Sequence, residues 1–494
     1  MLPSSAFSIY RAFLMEIELK LALDPAHAVR LRRYPWLKGI KAEQRALLSL
    51  YFDTPDFALS RRGISWRLRR IGYHWVQTLK AAAPAVGALS SRPEWETQVM
   101  GNTPDLAVLA PEARARLQGV DLEKLAPVFV TEVKRTTWIV TVGETTMEIA
   151  LDLGEVRAGV ASDPICEIEL ELKSGPPHGL FVAASNLLEW VPLSIDTRSK
   201  AARGYRLAGA VKAAPVKASW PKLDPAQSAA TAWTSLVETA LGQLVDNLPG
   251  FLEQPEEIEY LHQLRVGLRR LMSLARLRPE TEAEWIERLR LHMAVLNPAR
   301  DWDVFLLETL PHLDLPHDPE FLVQAAAMAA DARRSAQTMV TGRDFSHTVL
   351  QIGQALLTPP DTELATLDWA SQVLARRWRV VLRRARGKDE FARHRLRIAV
   401  KKLRYACDAL ATLYGKRRGA AQAHLEALQA SLGALNDLAV AERLMHALAR
   451  AHPECAFSAG RVAGLLGAAA RPGSRQRIAR ELAAIEPFWH KLAR

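Results

Sequence analysis

Up to about residue 210 the chain alternates apolar and polar residues in short runs; beyond it, apolar residues recur with a helical period. Met15–Leu23, Gly63–Arg69, Trp75–Lys80, Glu94–Val99, Phe129–Val142, Thr146–Leu151 and Ile165–Lys173, separated by Gly, Pro and Asp, predict strands. The later half, rich in Ala, Leu and Arg, predicts a series of helices. Between the halves, VKAAPVKASWPKLDP (Val211–Pro225) has three prolines, three lysines and little to bury, and predicts a linker. The expected division is residues 15–207, a linker at 208–224, and a helical region at 225–494.

The helical half repeats itself. His262-Gln-Leu-Arg-Val-Gly-Leu-Arg-Arg-Leu271 matches His394-Arg-Leu-Arg-Ile-Ala-Val-Lys-Lys-Leu403 in chemical type, and Leu296–Val304 matches Leu432–Val440 more loosely. Paired motifs in the same order predict a duplicated helical unit, an all-α bundle of two related halves.

On the strands, charge is sorted by face, since alternate residues point to opposite sides. Glu16, Glu18 and Lys20 share one face, as do Glu167, Glu169, Glu171 and Lys173; Arg67 and Arg69 flank Leu68, Glu94 and Glu96 flank Trp95, and Glu148 and Asp152 share a face. A solvated sheet face ordinarily mixes signs along each strand. Acidic and basic strands facing each other across a closed barrel would instead place carboxylates around divalent cations and Arg and Lys around phosphate oxygens. About eight strands enclose room for a small ligand.

Composition narrows the partners. With 49% hydrophobic and 24% charged residues the chain is globular, and its formal net charge of +11 favours polyanions. Its three cysteines, Cys166, Cys407 and Cys455, lie far apart, suggesting neither a disulfide framework nor a zinc site. No apolar run is long enough for a membrane helix and Met1–Phe13 has no signal-peptide core, so the cytoplasm and no membrane partner are expected, with Met1 or Met15 as the start. No GxxxxGK[ST] occurs, which argues against an ordinary P-loop NTPase.

Eight segments in order resemble the CYTH family of triphosphate tunnel metalloenzymes: Glu16-Ile-Glu-Leu-Lys20, YFDTPDFAL (Tyr51–Leu59), GISWRLRR (Gly63–Arg70), WVQTLK (Trp75–Lys80), RPEWE (Arg92–Glu96), EIALDLGEVRAG (Glu148–Gly159), CEIELELKSG (Cys166–Gly175) and SKAARGYRL (Ser199–Leu207). The resemblance implies an N-terminal closed antiparallel β-barrel forming a triphosphate tunnel, within an α+β chain. It implies Glu16, Glu18, Glu167, Glu169 and Glu171 as ligands for Mg²⁺ or Mn²⁺, and Lys20, Arg67, Arg69, Lys80, Arg135, Lys200 and Arg203 as the grip on triphosphate. Glu16, Glu18, Lys20 and Asp152 would be catalytic, with Asp152 and Glu148 as a second tier that orients metal or water. It assigns no role to Arg92, Glu94 or Glu96.

In the repeat helices His262, Arg265, Arg269 and Arg276 fall on one face, as do His394, Arg397, Lys401 and Arg404. From Arg376 to Arg418 there are sixteen Lys or Arg against three Asp or Glu, a self-repulsion that an anionic ligand would relieve. Asp301 and Asp437 read as helix caps or partners of these cations. This half resembles the CHAD domain, a duplicated helical domain. The resemblance implies polyphosphate binding through His262, Arg265, Arg269, Arg270, His394, Arg397, Lys401, Lys402 and Arg404, and association with polyphosphate granules.

The expected function is therefore metal-dependent hydrolysis of inorganic triphosphate, with polyphosphate bound by the helical half. Thiamine triphosphatase and adenylate cyclase share the tunnel resemblance. A non-catalytic polyphosphate scaffold is the alternative from another class. Nucleic acid is disfavoured, because its binders present a basic stripe with exposed aromatics, and Trp233, Trp302 and Trp378 read as core.

Overall fold

A computed structural model describes residues 14–81, 85–86, 89–210, 212–278, 285–313, 318–387, 390–415, 419–469 and 475–490. Ten strands form one antiparallel sheet: β1 (Leu14–Leu23), β2 (Glu43–Asp53), β3 (Ile64–Ile71), β4 (His74–Ala81), β5 (Ala85–Val86), β6 (Leu89–Val99), β7 (Ala126–Val142), β8 (Thr145–Ala158), β9 (Ala161–Ser174) and β10 (Leu193–Ile195). The order is β10-β1-β9-β8-β7-β2-β3-β4-β6-β5, and β1 also pairs with β6. That pairing closes β1, β9, β8, β7, β2, β3, β4 and β6 into the expected eight-stranded barrel. The β7–β8 and β8–β9 connections are two-residue turns opened by Gly143 and Gly159 at φ of 56° and 57°, the left-handed backbone such hairpins require.

β2 was not among the predicted strands. It reads EQRALLSLYFD, and apolar residues on both faces blur the period of two: Leu47 and Tyr51 are buried on one phase and Phe52 on the other. Helix His178–Trp190 packs its apolar side on β1, β8 and β9. Helix Lys200–Leu207, capped where Ser199 Oγ accepts from Ala202 N at 3.1 Å, lies against β7, β8 and β9.

The chain divides into two compact units, Met1–Ala214 with Val340–Leu357, and Pro215–Met339 with Thr358–Arg494. Helix Arg343–Leu356, from the middle of the helical region, thus belongs with the barrel. Its Ser346 hydroxyl donates to Leu193 O at 3.0 Å, Gln354 meets His178 at 2.7 Å, and Gly353 lets Phe181 close in where a Cβ would stand 2.6 Å from the ring. The only sequence hint of this helix is its amphipathic period, which does not say what it faces.

In the second unit the repeat motifs occupy helices Ile258–Ala275 and Glu390–Ala409, and the looser matches fall on Ile286–Val304 and Gly419–Ala451. Trp233, Trp302 and Trp378 are buried, and Trp233 Nε1 donates to Leu274 O at 2.8 Å. The stretch read as a linker is docked from residue 215 onward. Val216 exchanges hydrogen bonds with Asn247 at 2.9 and 3.0 Å, Arg270 donates to Ala218 O at 2.9 Å and stacks 4.4 Å from the Trp220 ring, and Leu223 N donates to Thr412 Oγ1 at 3.2 Å. Among the described residues no helix is long and apolar enough to cross a membrane.

Candidate functional site

The barrel lumen is a chamber of about 570 Å³ whose polar walls are the inward phase of seven strands and the start of helix Lys200–Leu207. Register explains its composition. On β1 and β9, Glu18 sits opposite Glu171 and Lys20 opposite Glu169; on β8 and β9, Asp152 sits opposite Glu167; on β7 and β8, Arg135 sits opposite Asp152. Arg67 lies beside Tyr51 of β2, and Lys80 beside Glu94 of β6. Neighbouring inward positions therefore pair opposite charges at Lys20–Glu169, Arg135–Asp152 and Lys80–Glu94, and set acid against acid at Glu18–Glu171 and Asp152–Glu167.

Of the residues singled out from sequence, Glu16, Glu18, Lys20, Arg67, Arg69, Lys80, Arg135, Glu169, Glu171 and Lys200 line this chamber. Asp152 and Glu167 lie behind its wall, 0% and 2% exposed. There Lys200 Nζ stands 2.7 Å from both Asp152 and Glu169 and bonds Glu167, while Arg135 forks onto Asp152 at 2.7 and 2.6 Å and also holds Glu169. Arg203 does not reach the lumen: it forks onto Asp163 at 2.8 Å and donates to Pro164 O at 2.7 Å. Glu148, opposite Glu171 on β9, lines a smaller space that shares Arg69 and Arg135 with this chamber.

The electrostatics separate the carboxylates. Burial opposes ionisation of Asp152 and Glu169, but Lys200 and Arg135 overcome it and hold both low. Burial likewise opposes Glu16, and Lys80, 2.5 Å away, with Arg92 brings it down to about 2. Glu18 goes the other way: burial and the neighbouring Glu169 and Glu16 push its carboxyl up, against the pull of Arg92, which bonds it. Two cations stand out by what they lack. Lys20 Nζ is buried with no hydrogen-bond partner, 3.6 Å from Glu167, and Arg69 donates only to the Ser49 hydroxyl at 3.1 Å and makes no ion pair with a described residue.

Sequence reasoning left out Tyr51, whose buried ring stacks on Phe129 with centroids 4.4 Å apart. Burial would raise its phenol, but Arg67 and Arg69 pull it down. Its signal was present in the YFDTPDFAL segment, on the inward phase with Ser49. Asp53 of the same segment is structural: its carboxylate accepts from the backbone N–H of Thr54, Leu59 and Ser60 at 2.7, 2.9 and 2.9 Å. Arg92, Glu94 and Glu96, for which no role could be assigned, are all in the chamber wall.

The Asp152, Glu167 and Glu169 oxygens lie within 4.8 Å of one another, a group that could hold a metal ion. The Lys200 ammonium already sits among them. Glu16, Glu18, Glu169 and Glu171 face the open chamber, and a divalent cation there would favour the charged form of Glu18, which burial and then Glu169 and Glu16 disfavour.

The helical unit has its own cavity of about 930 Å³, walled by both repeat helices and the docked strap. His262, Arg265, Arg269, Arg270, Arg397, Lys401 and Arg404 line it, together with Arg300; His394 and Lys402 do not. Burial and the surrounding Arg269, Arg397, Arg265 and Arg404 drive Lys401 down to about 8, and burial with Arg269 brings Arg265 to about 10. Asp301 is not a cap: it lies within helix Ile286–Val304 and faces the cavity. The Asp437 side chain lies outside the described residues.

Two families match the chain, the CYTH domain over residues 14–205 and the CHAD domain over residues 235–446. An inorganic triphosphatase of Haemophilus influenzae is 35% identical over 200 residues, which cover 39% of this chain and 55% of that protein. The chain therefore spans about half the length of that curated relative. The crystal structure of the CHAD domain from the plant Ricinus communis is similar to the helical part, with a TM-score of 0.52 and 30% identity, covering 56% of this chain and 98% of that one.

Proposed function

We propose that this chain, a CYTH domain followed by a CHAD domain, hydrolyses inorganic triphosphate to pyrophosphate and phosphate in the barrel and binds polyphosphate in the helical cavity. The observation that carries the first half is the pair of poorly compensated cations in the chamber: Arg69 makes no ion pair with a described residue, and Lys20 Nζ has no hydrogen bond and stands 3.6 Å from Glu167. Buried charge short of counter-charge and hydrogen bonds is costly, and a polyanion between β1 and β3 reduces that cost. The name of the Haemophilus influenzae relative supports the same reading.

Lys20, Arg67, Arg69, Lys80, Arg135 and Lys200 grip the phosphate oxygens, and Arg92 braces Glu16 and Glu18. Glu16, Glu18, Glu169 and Glu171 would hold Mg²⁺ or Mn²⁺, hard cations suited to carboxylate oxygen, which would neutralise phosphate charge and polarise a water molecule. Asp152, sealed off and locked to Lys200 and Arg135, and Glu167, bonded to Lys200, position those cations rather than touch substrate; Arg203 acts one step further out, 3.8 Å from Glu167. In the reaction the water oxygen bonds to the terminal phosphorus, the bridging P–O bond breaks with its electron pair going to pyrophosphate, and the water proton passes to a lumen carboxylate or solvent.

Phosphate release from tripolyphosphate is expected with Mg²⁺ and to fall to background with EDTA, while ATP and thiamine triphosphate are turned over more slowly. No release from any of them, with polyphosphate still bound, would leave the scaffold reading in its place.

Seven cations on one cavity wall support polyphosphate as the helical ligand, and Lys401 supplies a test. Because its depressed pKa is about 8, the ammonium is charged at neutral pH and discharges in mild alkali. Raising the pH from about 7 to about 9 should weaken polyphosphate binding by roughly tenfold, the worth of one charge-assisted hydrogen bond. Lys401→Arg should remove most of that pH dependence; a titration that is flat in the wild type would rule Lys401 out as a contact.

A further inference from the structure

Lys20 sits where one edge of β1 changes partner. On the first edge β1 pairs with β9 from Glu18 to Ala22. The opposite edge is held by β6 from Leu14 to Leu19 and by β10 from Leu21 to Leu23. Lys20 is the residue between these two partners. Its buried Nζ has no hydrogen-bond partner among the described residues and stands 3.6 Å from Glu167, so its position is set chiefly by the backbone that carries it.

β10 is a weak partner by itself, since it has three residues, about half the usual length of a strand, and lies at the end of the strand order beyond β1. What braces it comes from far along the chain. Helix Arg343–Leu356 is an excursion from the second unit, which the chain leaves at residue 340 and rejoins after 357. The buried Ser346 hydroxyl donates to Leu193 O of β10, 153 residues earlier in the sequence. The helix runs antiparallel to helix His178–Trp190, with Arg343 against Glu189 at 3.1 Å, Gly353 against the Phe181 ring and Gln354 against His178 at 2.7 Å. The Arg343–Glu189 pair is exposed and contributes little, whereas Phe181 and Ser346 are buried. Directly after β10, Asp196 accepts from Arg198 at 2.9–3.1 Å. Burial opposes its ionisation, but Lys20, ahead of Arg198, brings its carboxyl down to about 2. Placing β10 therefore also places a counter-charge in the field of Lys20.

We infer that helix Arg343–Leu356 is a working part of the catalytic barrel, and that Ser346 is a positioning residue: through β10 it fixes the end of β1 and with it the Lys20 ammonium. The inference rests on the triphosphatase reading, in which Lys20 grips phosphate. It adds that this grip depends on a helix encoded within the helical half.

The test uses the full-length protein with tripolyphosphate and Mg²⁺. Ser346→Ala should raise KM about fivefold, the worth of one hydrogen bond. It should leave kcat within about twofold, because a grip made equally in the ground and transition states acts on KM alone. Amide hydrogen exchange of Leu21–Leu23 should quicken in that variant, while residues 14–19, held by β6, keep the wild-type rate. Gly353→Ala forces a methyl group against the Phe181 ring and should reproduce the rise in KM. Combining it with Phe181→Leu, which shortens the opposing side chain, should bring KM back toward the wild type. A wild-type KM in active Ser346→Ala and Gly353→Ala proteins, unchanged exchange at Leu21–Leu23, or a loss confined to kcat and melting temperature would each overturn the positioning role and leave the triphosphatase standing. Wild-type protein that does not cleave tripolyphosphate would overturn the triphosphatase reading and the inference with it.

Discussion

Lys200→Met should destabilise the barrel by about 3–5 kcal/mol, the cost of removing one partner from a buried ion pair. Its ammonium is the shared counter-charge of Asp152, Glu167 and Glu169, two of which are essentially sealed from solvent. Arg135 still holds Asp152 and Glu169, but Glu167 would keep only the longer contacts with Lys20 at 3.6 Å and Arg203 at 3.8 Å. In thermal melts this corresponds to a fall of roughly 10 °C for a unit of this size. The pH dependence has a definite sign. Asp152 and Glu169 have depressed pKa values in the folded wild type, so they add stability above their unfolded pKa values and lose it as the pH falls through the folded ones. The variant lacks the Lys200 part of that contribution, so its deficit should hold from neutral pH down to about 4, the ordinary carboxylate range, and shrink below it as the depressed carboxylates of the wild type become protonated. Lys200→Arg should recover part of the loss. A Lys200→Met protein that melts with the wild type at neutral pH would show that the triad is not held by this charge.

Glu18→Gln should separate catalysis from stability. Glu18 is 7% exposed, and burial together with Glu169 and Glu16 pushes its carboxyl up, so its charge is tolerated at a cost rather than relied upon. Here the sign is opposite to that at Asp152: protonation of Glu18 favours the folded state, and a neutral glutamine of the same shape relieves the repulsion. Turnover of tripolyphosphate is expected to fall by about 10²–10³, the scale of losing one electrostatic element of a preorganised site, with weaker Mn²⁺ binding in a calorimetric titration. The melting temperature should stay level or rise, as expected where a functional site carries built-in destabilisation. A drop in stability matching that of Lys200→Met, with metal binding intact, would make Glu18 structural.

These two glutamate and lysine positions illustrate how far the site could be read in advance. Glu16, Glu18 and Lys20 were legible because a strand puts every second side chain on one face, and only a lined interior makes sense of charges sorted that way. The charged faces of β3, β6, β8 and β9 followed by the same rule, whereas Lys80 of β4 and Arg135 of β7 came only with the family resemblance. β2 escaped it, since apolar residues on both faces erase the alternation, and Tyr51 was passed over with it. Arg203 shows the limit of reading a helix: three residues from Lys200, it sits on an adjacent turn, yet Asp163 draws it away from the lumen. Asp152, read as orienting a metal or water, is held by Lys200 and Arg135 and faces Glu167 across β8 and β9, within the group whose oxygens could hold a metal ion. In the helical half the motif faces named most of the cavity wall, while His394 and Lys402 fall outside it and Arg300 inside.

By itself the sequence determined the barrel-then-bundle order, the charge carried on each strand face and the duplicated basic motif, because these depend on periods of two and 3.6 that operate over a few neighbouring residues. Only the tertiary structure decided which charges meet. Closure of β1 on β6 and the register of β8 on β9 bring together side chains far apart in the chain, leaving Lys20 without a hydrogen bond and Arg69 with the Ser49 hydroxyl while Arg135 and Lys200 are each held by more than one carboxylate. It also assigned helix Arg343–Leu356 to the barrel and laid residues 215–224 along the helical cavity. An amphipathic face or a proline-rich strap specifies that something must be covered or followed, and the identity of the partner is set by which distant surface has the complementary shape and hydrogen-bonding groups.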